Sequence, residues 1–119
     1  MFTIFIHKNI IPKNGGFLKN NLDKFNRLIE ERLFFEAHEA LEPLWLAFKK
    51  EGNVPTPLPR GYINAAIAFE HIKRGGIASR KSAKKTFACY LRYRHLSSKC
   101  DNCHQTTAIL DKVANLFKL

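Results

Sequence analysis

Apolar residues recur at intervals of three and four through most of the chain, and this spacing predicts helices rather than strands. The five segments that follow this spacing are residues 17–30, 34–50, 59–74, 78–98 and 104–117. Clusters of proline, glycine and asparagine precede the first segment, at residues 12–16, and separate later ones, at residues 51–58 and 75–76. Such clusters predict turns and loops. The chain is therefore predicted to be all-α, a bundle of about five helices after a short extended N-terminal lead.

Each predicted helix carries an apolar stripe that we expect to face a common core, and the length of the chain predicts one domain over residues 1–119. The predicted core positions are Phe17, Leu22, Phe25, Leu28 and Ile29 in the first helix, Phe34, Ala37, Leu41, Leu44, Trp45 and Phe48 in the second, Ala83, Phe87, Tyr90 and Leu91 in the fourth, and Ile109, Leu110, Val113 and Phe117 in the fifth. Glu36 and Pro43 of the second helix are expected to point toward solvent. Pro43 lacks an N–H group, so we expect a kink there.

Composition predicts a cytoplasmic protein without membrane contact. No apolar run approaches the roughly 18 residues that cross a bilayer, and the first residues lack the pattern of a secretory signal. The three cysteines are an odd set, which argues against a disulfide framework and fits a reducing compartment.

The second predicted helix contains a cluster of acidic residues and a histidine. The chain has a formal charge of +10, yet Glu36, Glu39 and Glu42 stand close together in sequence. On a helix His38 and Glu42 lie one turn apart at the edge of the apolar face, so their side chains can meet. A histidine and a glutamate at the rim of a buried face indicate either a functional site or a structural polar contact.

The third helix is expected to bring a second histidine to the same place. His38 precedes the intervening loop by about 12 residues and His71 follows it by about 12, which is roughly 18 Å of helix in each direction. Antiparallel neighbours would set the two imidazoles at one height. The same count sets Asn64 level with Trp45, and Gly61 would let the two helices approach closely.

Two sequence motifs lie in this part of the chain. The first is Phe-Glu-Ala-His-Glu-Ala-Leu-Glu at residues 35–42, followed by Trp45. The second is Gly-Tyr-Ile-Asn-Ala-Ala-Ile-Ala-Phe-Glu-His at residues 61–71, followed by Arg74 and a glycine. Together they resemble the small helical family catalogued as domain of unknown function 309, over about residues 22–92. The resemblance implies a compact all-α domain, and the label "predicted metal-dependent hydrolase" that some catalogues give the family implies a hydrolytic activity.

The chain departs from the family pattern in several places. Arg32 stands where a glycine is usual, just before the second helix, and Asn64 replaces the usual glutamine. The fourth helix is more basic than the family pattern implies. Residues 100–104 lie outside the resemblance.

The first motif supports a metal-site hypothesis. Its segment 38–42 is similar to the His-Glu-x-x-His helix of zinc hydrolases, with glutamate at the last position. His38, Glu42 and His71 would hold a divalent metal, Zn²⁺ foremost, and leave a fourth position for water. Glu39 would act as general base on a small-molecule substrate. The expected lining residues are Phe35, Trp45 and Asn64. The alternative is a buried polar network in which the same groups fix the helix register.

A basic stripe on the fourth helix supports a second hypothesis. From Lys73 to Lys99 the chain has nine Lys or Arg residues and no Asp or Glu. The positions suited to neutralising phosphates are Lys81, Lys85, Arg92 and Lys99. A non-enzymatic helical module that binds nucleic acid or a protein partner is thus the alternative to the hydrolase. A solvated helix face in a generally basic protein is the alternative to nucleic-acid binding by this stripe.

The segment Cys-Asp-Asn-Cys-His at residues 100–104 has the pattern of c-type haem attachment. Haem is disfavoured, because attachment requires export and because the only methionine is the first residue. The alternatives are chance occurrence and a zinc knot. The knot would use Cys100, Cys103 and His104, completed by Cys89 or His95.

Overall fold

The computed structural model describes residues 16–51, 57–100 and 102–119. In chain order the elements are α1 (Gly16–Glu30), α2 (Phe34–Glu51), α3 (Pro57–Arg74), α4 (Ile77–Tyr93), a 3₁₀ segment (Arg94–Lys99) and α5 (Cys103–Phe117). No strand occurs within these ranges, so the all-α prediction is confirmed. The predicted N-terminal lead, the centre of the predicted loop and Asp101 lie outside the described residues, as do the side chains of Phe17, Leu44 and Phe48.

α3 is the helix against which most of the others pack. It lies against both α2 and α4 and also touches α5 and the 3₁₀ segment, while α1 covers α2 and α5. An edge-to-face cluster of Phe34, Phe69 and Phe117 joins α2, α3 and α5, with ring centroids 5.4 to 5.9 Å apart. Of the helices described, none is long and apolar enough to cross a bilayer.

Most of the predicted core positions are buried. Those confirmed are Leu22, Phe25, Leu28, Ile29, Phe34, Ala37, Leu41, Ala83, Phe87, Tyr90, Leu110 and Val113. Ile109 and Phe117 are partly buried against this core. The prediction for Leu91 is wrong: it is 56% exposed, because its neighbour Tyr90 takes the inward position. Pro43 is also a correction, since its apolar ring is buried rather than directed to solvent. α2 continues across Pro43.

Two helix boundaries differ from the sequence prediction by more than one residue. α3 begins at Pro57, two residues before the predicted start. α4 ends at Tyr93, and the chain tightens into the 3₁₀ segment where the sequence predicted continued α-helix to residue 98. The change of helix type coincides with contacts to α5, since Arg94 forms an ion pair with Asp111.

The turn between α1 and α2 forms with an arginine at the position where the sequence resemblance implied a glycine. Arg32 adopts the left-handed conformation, with φ at 64°. Its N–H donates to the carbonyl of Ile29 over 3.0 Å, and the N–H of Leu33 donates to the carbonyl of Leu28 over 2.9 Å. These are the two hydrogen bonds of a Schellman helix end. The Nζ of Lys73 also donates to the Arg32 carbonyl, which ties the turn to α3.

Gly61 allows close contact between α3 and α4. A Cβ atom placed on Gly61 would lie 3.3 Å from the Cα of Tyr90 and 3.6 Å from the carbonyl oxygen of Cys89. The sequence analysis predicted that Gly61 would allow close contact between α2 and α3. That prediction is wrong, because Tyr90 and Cys89 both belong to α4. α3 and α4 are joined by only Gly75 and Gly76, whose φ angles of 84° and 97° favour glycine.

Candidate functional site between α2 and α3

An open pocket of about 260 Å³ lies between α2 and α3. We call it the histidine pocket. Its lining residues are Phe34, Phe35 and His38 of α2 and Ile67, Glu70, His71 and Arg74 of α3. Apolar walls with a few polar groups are typical of a site for a small ligand.

His38 is held at the pocket by its own helix. Its Nε2 lies 3.3 Å from Oε2 of Glu42, one turn away. The ring of Phe35 meets the imidazole edge-on, with centroids 5.7 Å apart. The side chain of His38 is 20% exposed, whereas that of Glu42 is 57% exposed. The imidazole is therefore positioned by packing, while the carboxylate is accessible to solvent.

The α3 wall adds two charged groups that the sequence analysis did not select. Glu70 lies 3.5 Å from the Nε of Arg74, and its side chain is 25% exposed. Helical spacing was the signal available for finding them, since Ile67, Glu70, His71 and Arg74 stand at i, i+3, i+4 and i+7 and share one face. The pocket therefore contains a carboxylate and a guanidinium in addition to its two imidazoles.

The predicted site residues divide into two groups. His38, His71 and Phe35 line the pocket as expected, and Glu42 contacts His38. The residues that the described structure does not place in the lining are Glu39, Trp45 and Asn64. Glu39 is exposed, and Trp45 is only partly buried, although the sequence predicted a largely buried ring.

Asn64 faces α4 rather than α2. Its Nδ2 donates to the carbonyl of Arg60 over 3.0 Å and to the sulfur of Cys89 on α4 over 3.3 Å. Its amide therefore contacts α4, and the expectation that it would meet the α2 residues is not met.

The metal-site hypothesis remains a prediction. Imidazole nitrogen and carboxylate oxygen are donors that suit Zn²⁺. His38 and His71 supply imidazoles in the pocket lining, and Glu42 supplies a carboxylate that contacts His38 but is not part of the lining. Over residues 16–51, 57–100 and 102–119, no three His, Cys, Asp or Glu side chains are gathered in a position to hold one ion. The donor types fit a metal, but their present arrangement does not form a complete set.

Sequence comparison places this pocket within a known family. The family model described as Domain of unknown function (DUF309) matches residues 22–82, just over half of the chain. The chain belongs to the DUF309 family. No curated protein and no solved structure matches it. The DUF309 match contains both walls of the histidine pocket.

A second polar cluster lies mostly beyond the DUF309 match, with only Tyr62 of its residues inside it. We call it the Asp111 network, formed by Tyr62, Tyr90, Arg94, Thr107 and Asp111. The Tyr62 hydroxyl donates to the Cys103 carbonyl over 3.0 Å and lies 2.8 Å from Oγ1 of Thr107. The Tyr90 hydroxyl lies 2.8 Å from Oδ1 of Asp111, which also pairs with Arg94.

Burial changes the acidity of both tyrosines in this network. Loss of hydration raises the pKa of Tyr62 from 10.0 to about 12. Burial, followed by the neighbouring carboxylate of Asp111, raises the pKa of Tyr90 further still. Arg94 has its pKa raised chiefly by its hydrogen bond to Asp111. The tyrosines are therefore neutral donors, and the network joins α3, α4 and α5.

The cysteine segment differs from the sequence expectation. Cys100 and Cys103 form a disulfide with their Cα atoms 5.2 Å apart, although the odd number of cysteines had argued against one. A single turn of chain brings the two thiols within bonding range. Cys89 is the free cysteine among the described residues, and it contacts Asn64. With Cys100 and Cys103 joined in a disulfide, neither has the thiolate that the zinc knot requires.

The basic stripe is exposed as predicted. Lys81, Lys85 and Arg92 are exposed on α4. Lys99 is also exposed, but it belongs to the 3₁₀ segment and is therefore not part of the stripe on α4.

Proposed function

We propose that the protein is a hydrolase that acts on a small polar molecule in the histidine pocket, with a divalent metal as its cofactor. The observation that carries this proposal is that His38 and His71, from separate helices, line one open pocket. Imidazole groups exchange protons near neutral pH and bind divalent metals. A sealed polar network that only fixed helix register would not require an opening.

The residues of the pocket have distinct roles in this proposal. His38, Glu42 and His71 are the metal ligands, and a metal bound there would lower the pKa of a water molecule. Because Glu42 is 57% exposed, its side chain is free to turn toward the pocket. Glu70 lines the pocket whereas Glu39 does not, so Glu70 replaces Glu39 as the general base. Arg74 would bind an anionic group of the substrate.

The test is metal content and thermal stability of protein purified without a histidine tag. We expect about one equivalent of Zn²⁺ and a rise in melting temperature when Zn²⁺ is added in excess. Glu42→Gln should lose bound metal, whereas Glu39→Gln, an equal change on the exposed side of α2, should keep it. His71→Gln should lose both the metal and any hydrolysis of p-nitrophenyl acetate or p-nitrophenyl phosphate.

Two results would overturn the proposal. One is wild-type protein with less than about a tenth of an equivalent of Zn, Fe or Mn and no thermal shift with these ions. The other is equal metal binding by Glu42→Gln and Glu39→Gln. Either would assign the His38–Glu42 contact to stabilisation of α2 alone.

A further inference from the structure

The outer face of α4 is rich in exposed cations. We call it the basic face, and its exposed cations are Lys81, Lys84, Lys85 and Arg92. α4 contains no Asp or Glu. Lys81 and Lys85 stand one turn apart, a spacing at which like charges disfavour a helix. The arrangement is therefore unfavourable for the isolated helix and becomes favourable next to an anion.

Helices α1, α2 and α3 each have a side-chain pair of this one-turn spacing with a carboxylate as one member. Their one-turn pairs are Lys19–Asp23 in α1, His38–Glu42 in α2 and Glu70–Arg74 in α3. Within the described residues, no ion pair includes Lys81, Lys84 or Lys85. An ordinary solvated face alternates charges of both signs, and the basic face does not.

Charge is also segregated across the bundle. α2 exposes Glu36, Glu39 and Glu42, and α3 packs against both α2 and α4. A polyanion on α4 would therefore meet few carboxylates. It would also leave the histidine pocket uncovered, because the lining of that pocket comes from α2 and α3.

We propose that the basic face binds the phosphate backbone of nucleic acid without reading its base sequence. From Lys81 to Arg92 the helix rises about 16 Å, which matches about five phosphates along one strand. Tyr93 lies at one end of the face, and the guanidinium of Arg92 is 5.8 Å from the centre of its ring. This partly exposed ring is a stacking surface for a base.

The side chains of α4 favour nucleic acid over a membrane surface. A helix that lies on a bilayer carries a continuous stripe of bulky apolar residues. The exposed bulky apolar residues of α4 are Ile77 and Leu91, at 82% and 56% exposure. They are separated by about 21 Å of helix, and lysines occupy the surface between them. The face therefore has charge for phosphates but no stripe to enter lipid.

The test is fluorescence anisotropy with a labelled mixed-sequence single strand and with the matching duplex. Four phosphate contacts predict a slope of about −3 for the logarithm of affinity against the logarithm of salt. An eightfold rise in salt should then weaken binding about 500-fold. A permuted sequence should bind equally well.

A charge-matched pair of variants isolates the basic face. Lys81→Gln/Lys84→Gln/Lys85→Gln should weaken binding more than about tenfold and reduce the salt slope by about 2. The control triple removes three exposed cations elsewhere and should weaken binding less than about threefold. Its changes are Lys24→Gln, Arg27→Gln and Lys112→Gln. His71→Gln should leave this binding unchanged, so the result is independent of the proposed hydrolase.

Several outcomes would overturn the proposal. Equal losses in the two triple variants would show that net charge alone attracts the oligonucleotide. If the wild-type protein binds neither oligonucleotide at low salt, the basic face is not a nucleic-acid site. Equal or tighter binding to phosphatidylserine vesicles or to poly-glutamate would assign the face to a membrane or an acidic protein. Circular dichroism of both triples checks that the exposed substitutions leave the helices intact.

Discussion

The histidine pocket and the Asp111 network are both polar, but they are built in opposite ways. At the pocket the polar side-chain pairs join residues four apart on one helix, and the side chains of Glu42 and Arg74 are 57% and 65% exposed. In the network the hydrogen bonds join residues 17 to 45 apart in sequence. Tyr62 and Tyr90 are almost completely buried there. The difference indicates that the network holds helices together, whereas the pocket leaves its polar groups available to a ligand.

The largest expected effect comes from breaking the Asp111 network. Asp111→Ala removes the acceptor of Arg94 and one of the two acceptors of the buried Tyr90 hydroxyl. We expect the free energy of unfolding to fall by about 2–3 kcal/mol, measured by denaturant titration. Asp111→Asn should lose less, because its amide oxygen still accepts from Tyr90.

The matched change in the pocket is His71→Ala. Because His71 is only partly buried, we expect a change within about 0.5 kcal/mol in the absence of added metal. Equal losses for Asp111→Ala and His71→Ala would contradict the comparison, since the pocket would then stabilise the bundle as much as the network does.

A smaller effect should appear at alkaline pH. Since the pKa of Tyr62 rises from 10.0 to about 12 on folding, the folded state keeps a proton that the unfolded state releases between these values. This contribution to stability is complete below pH 10 and is lost as pH rises toward 12. It amounts to a loss of about 1.4 kcal/mol at about pH 11.

Tyr62→Phe tests this alkaline loss. The variant should lose stability less steeply than wild type between about pH 9.5 and 11, in melting temperatures measured against pH. Some slope should remain, because the pKa of Tyr90 is raised in the same direction. Parallel curves for wild type and variant would show that the Tyr62 hydroxyl is not sealed from water.

A small stabilising effect is expected at the turn that leads into the pocket helix. Arg32 holds a left-handed conformation that glycine adopts without steric cost, so Arg32→Gly should stabilise the protein by about 0.5–1 kcal/mol. The gain is reduced by loss of the contact between the Arg32 guanidinium and the Phe117 ring.

Arg32→Ala separates the two contributions to that change. It removes the guanidinium but keeps a Cβ atom in the strained conformation. The glycine variant should therefore exceed the alanine variant by about 1 kcal/mol in thermal or denaturant unfolding. Equal stability of the glycine and alanine variants would mean that the turn adjusts to accommodate a Cβ atom. Residue 32 would then carry no backbone strain in the wild-type protein.

The sequence could predict the histidine pair because it follows from regular geometry. The rise per residue places His38 and His71 at one height once their helices are taken as antiparallel. It does not fix which neighbour each part of a helix faces. Asn64 is two turns from His71 on almost the same stripe, yet it contacts Cys89 of α4. A helix that packs against two others can present one stripe to different partners along its length.

The Asp111 network could not be predicted from local pattern. Tyr62 and Thr107 are 45 residues apart, and nothing in the spacing of either helix selects the other. The same tertiary contacts explain the missed helix boundary, because the chain leaves α-helical geometry at Arg94, where it meets Asp111. Periodicity reports which residues are buried, whereas polar pairing depends on the final arrangement of the helices.

The close contact at Gly61 has a consequence for the order in which the molecule folds. α3 and α4 are joined by two glycines, so bringing them together closes a very short loop and costs little chain entropy. Contacts between such neighbours are local in sequence, and local contacts form quickly. The two helices form a helical hairpin. It contains one wall of the histidine pocket, on α3, and the whole basic face, on α4. We therefore expect both candidate sites to share a unit that folds early, with α2 docking onto it later to complete the pocket.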